Sequence, residues 1–164
     1  SNAWANPSID AAEGCIYHTE SFHNKTSILY KTDFSGKTIW KKQFSFGCRA
    51  SVGISTAHFI VFLGLNGTAY FLDKATGKEV ASQLIASKDR GLWTSPAIMA
   101  NQSVLINTKK TVQKGSLVCL QPNGAIQWEI FYAKALSVPT IDAQGRLYTA
   151  TWAGDFYQFK TNES

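Results

Sequence analysis

The side chains in this 164-residue chain that chemistry would draw on are three cysteines, three histidines and eleven acidic residues. Cys15, Cys48 and Cys119 form an odd set with no close pair, and each lies in or beside an apolar, strand-like run. That pattern gives no disulfide framework and fits small buried thiols. Cys15 and His18 stand three residues apart, which on a strand places them on opposite faces, so no metal pair arises. His18, His23 and His58 are scattered and read as surface or satisfied strand residues. Asp33 and Asp73 occupy turns, Glu79 and Glu129 fall in outer strands, and Asp142 follows an inner strand. No nucleophile elbow, paired-carboxylate cluster or phosphate loop is present. Catalysis, a bound metal and a cofactor are not expected of this chain.

The net charge of +5 is spread along the sequence. Lys41-Lys42 and Lys109-Lys110 are the only adjacent basic pairs, and both are expected at strand ends or in hairpin loops. Nucleic-acid binding wants a denser basic stripe, so no nucleic-acid partner is expected. With 45% hydrophobic and only 16% charged residues, the chain has enough apolar mass for a core. Ten Phe, six Tyr, five Trp and twelve Gly lean toward sheet, because aromatic side chains suit pleated surfaces and Gly suits tight turns. No stretch reaches the ~20 apolar residues of a membrane-spanning helix. Ser1-Asn2-Ala3 reads as the remnant of tag removal, which leaves a natural sequence starting at Trp4 without an initiating Met. A trimmed export signal and a piece of a longer protein both fit that start. Asn24, Asn66 and Asn101 stand in Asn-x-Ser/Thr triplets and indicate nothing beyond surface placement.

The positioning elements emerge from an internal repeat. Trp4-Ala-Asn-Pro-Ser-Ile9 aligns with Trp93-Thr-Ser-Pro-Ala-Ile98, and Arg49 to Ile54 and Leu136 to Ile141 fall into the same columns. The isoleucine column recurs every 43 to 45 residues (Ile9, Ile54, Ile98, Ile141). A second strand follows each Ile, centred on Tyr17, Val61, Ile106 and Tyr148. The third strands are expected at 27–32, 68–72, 116–120 and 155–159. Asn66-Gly67 predicts a two-residue type I′ hairpin with positive φ at both positions, and Ala153-Gly154 marks the equivalent bend more weakly. Repeats one and three carry longer polar loops at 21–26 and 109–114. A turn and a fourth strand come next, led by Asp33 to Gly36, Asp73 to Gly77 and Gln121 to Gly124. In the last of these strands Ile126, Trp128 and Ile130 share one face.

Four short antiparallel strands per ~44 residues is the size of a propeller blade. The fold class is therefore all-β, with four β-propeller blades at 4–48, 49–92, 93–135 and 136–164. The fourth blade lacks its outer strand. A partial propeller, half of a dimeric eight-bladed ring and a small closed four-bladed propeller are the arrangements this count leaves open.

Asp73-Lys-Ala-Thr-Gly77-Lys resembles the core of the tryptophan-docking motif of pyrroloquinoline-quinone-like (PQQ-like) propellers, in which the stretch ends in a Trp. Trp40 and Trp128 hold that Trp position in repeats one and three, whereas repeat two has Ala81 there. The resemblance covers the chain from Trp4 to Lys160 and implies that such a Trp is wedged between blades, burying a large apolar area. One branch of the family consists of quinoprotein dehydrogenases with quinone, calcium and a catalytic Asp. Their adjacent-cysteine pair and converging carboxylates are missing here. The resemblance is therefore closer to the non-catalytic, BamB-like branch, and implies a binding or scaffold module for a protein partner outside the cytoplasm. The alternatives are a fragment of a PQQ-dependent oxidoreductase, or a propeller appended to a larger enzyme or receptor.

In a propeller the inner strands line a central channel, and the loops leading into them form one rim. That rim holds Trp4, Arg49 and Trp93, with Arg90 and Lys134 just upstream of their strands, and these five are the candidate partner-binding residues. Arg and Trp dominate protein interfaces. Trp4 and Trp93 recur in the repeat, so packing between blades accounts for them more readily than ligand contact. Arg49 and Arg90 lie outside the shared pattern and are the better functional candidates.

Overall fold

A computed structural model describes residues 5–22, 25–87, 92–109, 111, 114–132, 137–151 and 154–159. The described residues form fifteen strands and no helix. The first blade holds β1 (Ser8–Asp10), β2 (Cys15–Phe22), β3 (Thr26–Asp33) and β4 (Thr38–Phe44). The second holds β5 (Gly53–Ile54), β6 (Phe59–Leu63), β7 (Thr68–Asp73) and β8 (Glu79–Leu84). The third holds β9 (Ala97–Ile98), β10 (Val104–Lys109), β11 (Gly115–Leu120) and β12 (Ile126–Tyr132). The fourth holds β13 (Thr140–Ile141), β14 (Leu147–Ala150) and β15 (Phe156–Phe159). Each blade is one antiparallel meander in chain order. The arc is a partial β-propeller and is not closed.

Alternation explains how the blades stack. Every second residue of a strand points to the same face, so a blade buried on both sides must be apolar at every position of its middle strands. Phe59 to Leu63 of β6 are all buried. Phe59, Val61 and Leu63 pack toward the third blade with Val104, Ile106, Val118 and Leu120. Ile60 and Phe62 pack toward the first blade with Cys15, Tyr17 and Leu29. Phe44 and Phe46 complete that boundary, with ring centroids 4.6 Å from Phe62 and 5.0 Å from Tyr70 respectively. The third boundary buries Leu105, Leu117, Cys119 and Leu147.

Trp40 spans the first boundary. Its indole N–H donates to the Lys74 carbonyl at 3.0 Å, and its ring lies against Gly77, where an added Cβ would sit 3.0 Å from it. Gly77 has φ +69°, so the close approach and the left-handed turn both demand glycine. At the second boundary Ala81 takes the corresponding place, and a Cβ added at Gly124 would sit 3.1 Å from the Ala81 Cβ. Trp128 packs on the core of the third boundary.

Four local expectations are corrected. Lys41 and Lys42 lie inside β4 rather than at a strand end, on a solvent-facing outer strand that tolerates charge. Pairing of Ile9 with Ile16, Ile54 with Ile60 and Ile98 with Val104 makes Leu105, not Ile106, the equivalent of Tyr17 and Val61. The β6–β7 hairpin is a four-residue turn over 64–67, with Gly67 N–H donating to the Gly64 carbonyl. Only Gly67 of the Asn66-Gly67 pair has positive φ, so the turn is not type I′. The first-blade hairpin is tighter than 21–26, because Ser21 pairs with Ser27 and Phe22 with Thr26.

Candidate functional site

The loops entering β5 and β9 lie side by side on one rim. Backbone hydrogen bonds to serine hydroxyls link successive blades there. Asn6 N–H donates to Ser51 Oγ at 3.1 Å, and Ser51 N–H donates to Ser95 Oγ at 3.0 Å. This ladder sets the positions of the residues just before it, Arg49 and Trp93.

Trp93 is 43% exposed, so its ring is not closed into the boundary between blades. The Arg49 guanidinium carbon lies 5.0 Å from the ring centroid, and Lys109 Nζ lies 5.0 Å from it as well. Both distances are within cation–π range. Arg49, Trp93 and Lys109 come from three different segments: the β4–β5 loop, the β8–β9 loop and the end of β10. The result is a half-exposed aromatic surface bordered by two cations. Such a surface suits a partner that offers apolar or aromatic side chains together with carboxylates.

Of the five rim candidates, Arg49 and Trp93 are brought together. Trp4, Arg90 and Lys134 lie outside the described residues. Lys109 was missed as a rim residue. Its signal was the Lys109-Lys110 pair, but the sequence shows that pair only as a loop end and not as a neighbour of Trp93.

A second polar cluster lies at the first blade boundary. Lys74 Nζ donates to Asp10 Oδ2 at 2.7 Å, and Lys31 Nζ donates to Glu13 Oε2 at 2.5 Å. Lys31 Nζ also donates to the Lys74 carbonyl at 2.9 Å, the same oxygen that accepts from Trp40. Asp10, Lys31 and Lys74 are buried, while Glu13 reaches solvent. Burial alone would raise the Asp10 carboxyl. The Lys74 hydrogen bond and charge, with the Glu13 and Ala12 backbone, outweigh it and hold the carboxyl below its ordinary value.

Asp10, Glu13 and Cys15 bring three metal-ligand atoms within 4.8 Å of one another. The two ammonium groups already occupy the carboxylates, so a divalent cation would meet two positive charges there. The cluster reads as a structural ion-pair quartet. Burial also pushes the Cys15 thiol up, takes Cys119 to about 11 and Cys48 to about 12, so none of the three is a reactive thiolate at neutral pH.

Tyr17 is buried in the same boundary, and its hydroxyl has no hydrogen-bond partner among the described residues. Burial and the neighbouring Cys15 and Glu13 push that phenol well above its ordinary value. An unsatisfied buried hydroxyl costs stability, so Tyr17→Phe should leave stability unchanged or raise it by about 1 kcal/mol. Chemical denaturation of the two proteins reads this directly. A loss of more than about 1 kcal/mol would mean that the hydroxyl has a partner after all.

No protein-family model matches the chain, and no curated protein matches it. Solved structures do, and they define the class: a partial β-propeller of the kind found in BamB and the quinoprotein alcohol dehydrogenases. BamB from Moraxella catarrhalis superposes with a TM-score of 0.71 at 19% identity, over 96% of this chain and 46% of that one. The quinohemoprotein alcohol dehydrogenase from Comamonas testosteroni gives 0.75 at 16% identity, over 92% of this chain and 29% of that one. The computationally designed protein Ika4 gives 0.72 at 10% identity, over 99% of this chain and 92% of that one. The chain thus spans under half of BamB and under a third of the dehydrogenase. At these identities the likeness establishes the fold, in agreement with the PQQ-like resemblance carried by Asp73 to Lys78 and the Trp columns.

Proposed function

We propose that this chain is a non-enzymatic propeller module that recognises a protein partner through the rim at Arg49, Trp93 and Lys109. The carrying observation is the half-exposed Trp93 ring with a cation 5.0 Å from its centroid on two separate segments. Large aromatic side chains and Arg are the usual anchors of protein interfaces, and a cation pair selects partners bearing carboxylates. Placement outside the cytoplasm rests on the resemblance to BamB-like propellers. The rival reading is a fragment of a quinoprotein oxidoreductase. Among the described residues the buried carboxylate Asp10 and its neighbour Glu13 are engaged by lysines, so under that reading the quinone and calcium site lies in blades outside this chain.

The test is fluorescence anisotropy with a labelled ten-residue peptide of alternating Glu and Phe, at low and high salt. Trp93→Ala should weaken binding by about tenfold or more, the loss expected of a central aromatic anchor. Arg49→Ala should weaken it less and flatten the salt dependence. Lys41→Ala, on the outer strand, should leave it unchanged. No binding, or equal binding by Trp93→Ala, would remove the rim as the site. Saturable uptake of PQQ with calcium would put the oxidoreductase reading first.

A further inference from the structure

The two cations at Trp93 come from different sides of it. Arg49 belongs to the loop that enters the second blade, and Trp93 to the loop that enters the third. Lys109 ends β10, where alternation puts it on the face of Leu105 and Asn107. That face is turned to the fourth blade. Leu105 packs with Leu147, and the Asn107 amide donates to Thr149 Oγ1 at 3.1 Å and to the Ser137 carbonyl. Thr94 Oγ1 donates to the Asn107 carbonyl at 3.2 Å, which fastens the Trp93 segment to the same strand. The indole thus stands between a cation on the second-blade side and one on the fourth-blade side.

Each charge lies 5.0 Å from the same ring centroid, so the two are at most about 10 Å apart. Both side chains are half-buried against the ring. A cation held in this way has given up side-chain freedom before a partner arrives, and it is screened less than one in bulk water. With an indole between them, the two charges are matched by two anions, one on either side, rather than by one. The same distance sets the spacing of those anions. In an extended chain neighbouring side chains point to opposite faces, and residues two apart share a face about 6.7 Å from each other. Residues four apart share it at about 13 Å, beyond the span of the two cations.

We propose that the partner presents an extended segment with acidic residues two positions apart, and that their carboxylates pair with Arg49 and Lys109 on either side of Trp93. This selectivity rests on the rim being the binding site, and adds to it the chemistry and spacing that the rim selects. The residue between the two acids points away from the rim, so its type matters little, while the backbone crosses the exposed edge of the indole.

Fluorescence anisotropy with two labelled twelve-residue peptides of the same composition reads the outcome. One alternates Glu and Phe. The other sets Glu pairs and Phe pairs in turn, so that no two Glu stand two apart while several stand four apart, the spacing a helix would present. The alternating peptide should bind about fivefold more tightly at low salt, and the preference should shrink as salt screens the ion pairs. Arg49→Gln and Lys109→Gln, which keep most of each stem, should each abolish most of that preference. Equal binding of the two peptides by the parent protein overturns the proposal, and so does a preference that survives either substitution. If Trp93→Ala then still weakens both peptides, the rim stands as the site and only the two-acid match is removed. Binding of neither peptide removes both.

Discussion

Lys74→Met lowers the unfolding free energy by about 3–5 kcal/mol, the cost of leaving one partner of a buried ion pair uncompensated. The Asp10–Lys74 pair is closed at 2.7 Å with both side chains under a tenth exposed, so solvent screens it little. Met keeps most of the Lys stem volume, which isolates loss of charge from loss of packing. In a domain of this size the thermal midpoint should fall by roughly 10 °C. Asp10→Leu combined with Lys74→Met should recover most of the loss, because an apolar pair of similar volume replaces a buried ion pair at little cost.

The pH dependence of this effect has a definite sign. The folded-state Asp10 carboxyl is held below its ordinary value of 3.8. Its contribution to stability is therefore fully present above that value and is lost as pH falls through the lower folded value. Removing the Lys74 cation leaves only the Glu13 and Ala12 backbone hydrogen bonds to oppose burial, and so raises the carboxyl. The gap between the parent protein and Lys74→Met should thus be widest near neutrality and narrow below about pH 4. Urea unfolding from pH 7 to pH 3 measures both curves. A gap under about 1 kcal/mol at neutrality would show that water reaches the pair as it does at a surface.

Gly67→Ala is the other large effect, with an expected loss of about 3 kcal/mol or more. Gly67 has φ +86°, a conformation that side chains with a Cβ rarely adopt. An added Cβ would stand 2.0 Å from the Ala86 carbonyl oxygen and 2.7 Å from its carbon, both backbone atoms. Ala86 cannot recede cheaply, because Ile85 and Ala86 N–H both donate to the Gly67 carbonyl, at 2.9 and 3.0 Å. Gly36→Ala is the control. It has φ +90° but nothing within 4 Å of the added Cβ, so it should lose only about 1 kcal/mol. Thermal unfolding of both variants separates the steric cost from the conformational one. Equal losses would mean that the Ala86 contact relaxes freely.

The sequence by itself determined the blade count, the order of strands in each blade and the columns that recur every 43 to 45 residues. It could do so because these features are local. Alternation sets which side chains of β6 or β11 share a face, and turn residues such as Gly36, Gly77 and Gly124 end each third strand. Ala81 in the place of a Trp was legible for the same reason, as one missing member of a periodic set.

The stacking of blades decided the rest. A repeat period says that residues ~44 apart are equivalent, but not which of their neighbours touch. Asp10 meets Lys74 across 64 residues, and Trp40 finds the Lys74 carbonyl across 34. Lys74 lies in the turn after β7, and its partners Asp10 and Trp40 both come from the preceding blade. Trp93 is likewise a repeat residue in the sequence, equally suited to wedging between blades. Only the packed arc left its ring half exposed and set Arg49 and Lys109 beside it. The type of the Gly64–Gly67 turn and the equivalence of Leu105 with Tyr17 also waited on tertiary structure. A single-residue shift in a strand costs nothing in local pattern when every position of that strand is apolar, as in Val104 to Ile106. What selects the register is burial against the next blade, which is a property of the assembled arc.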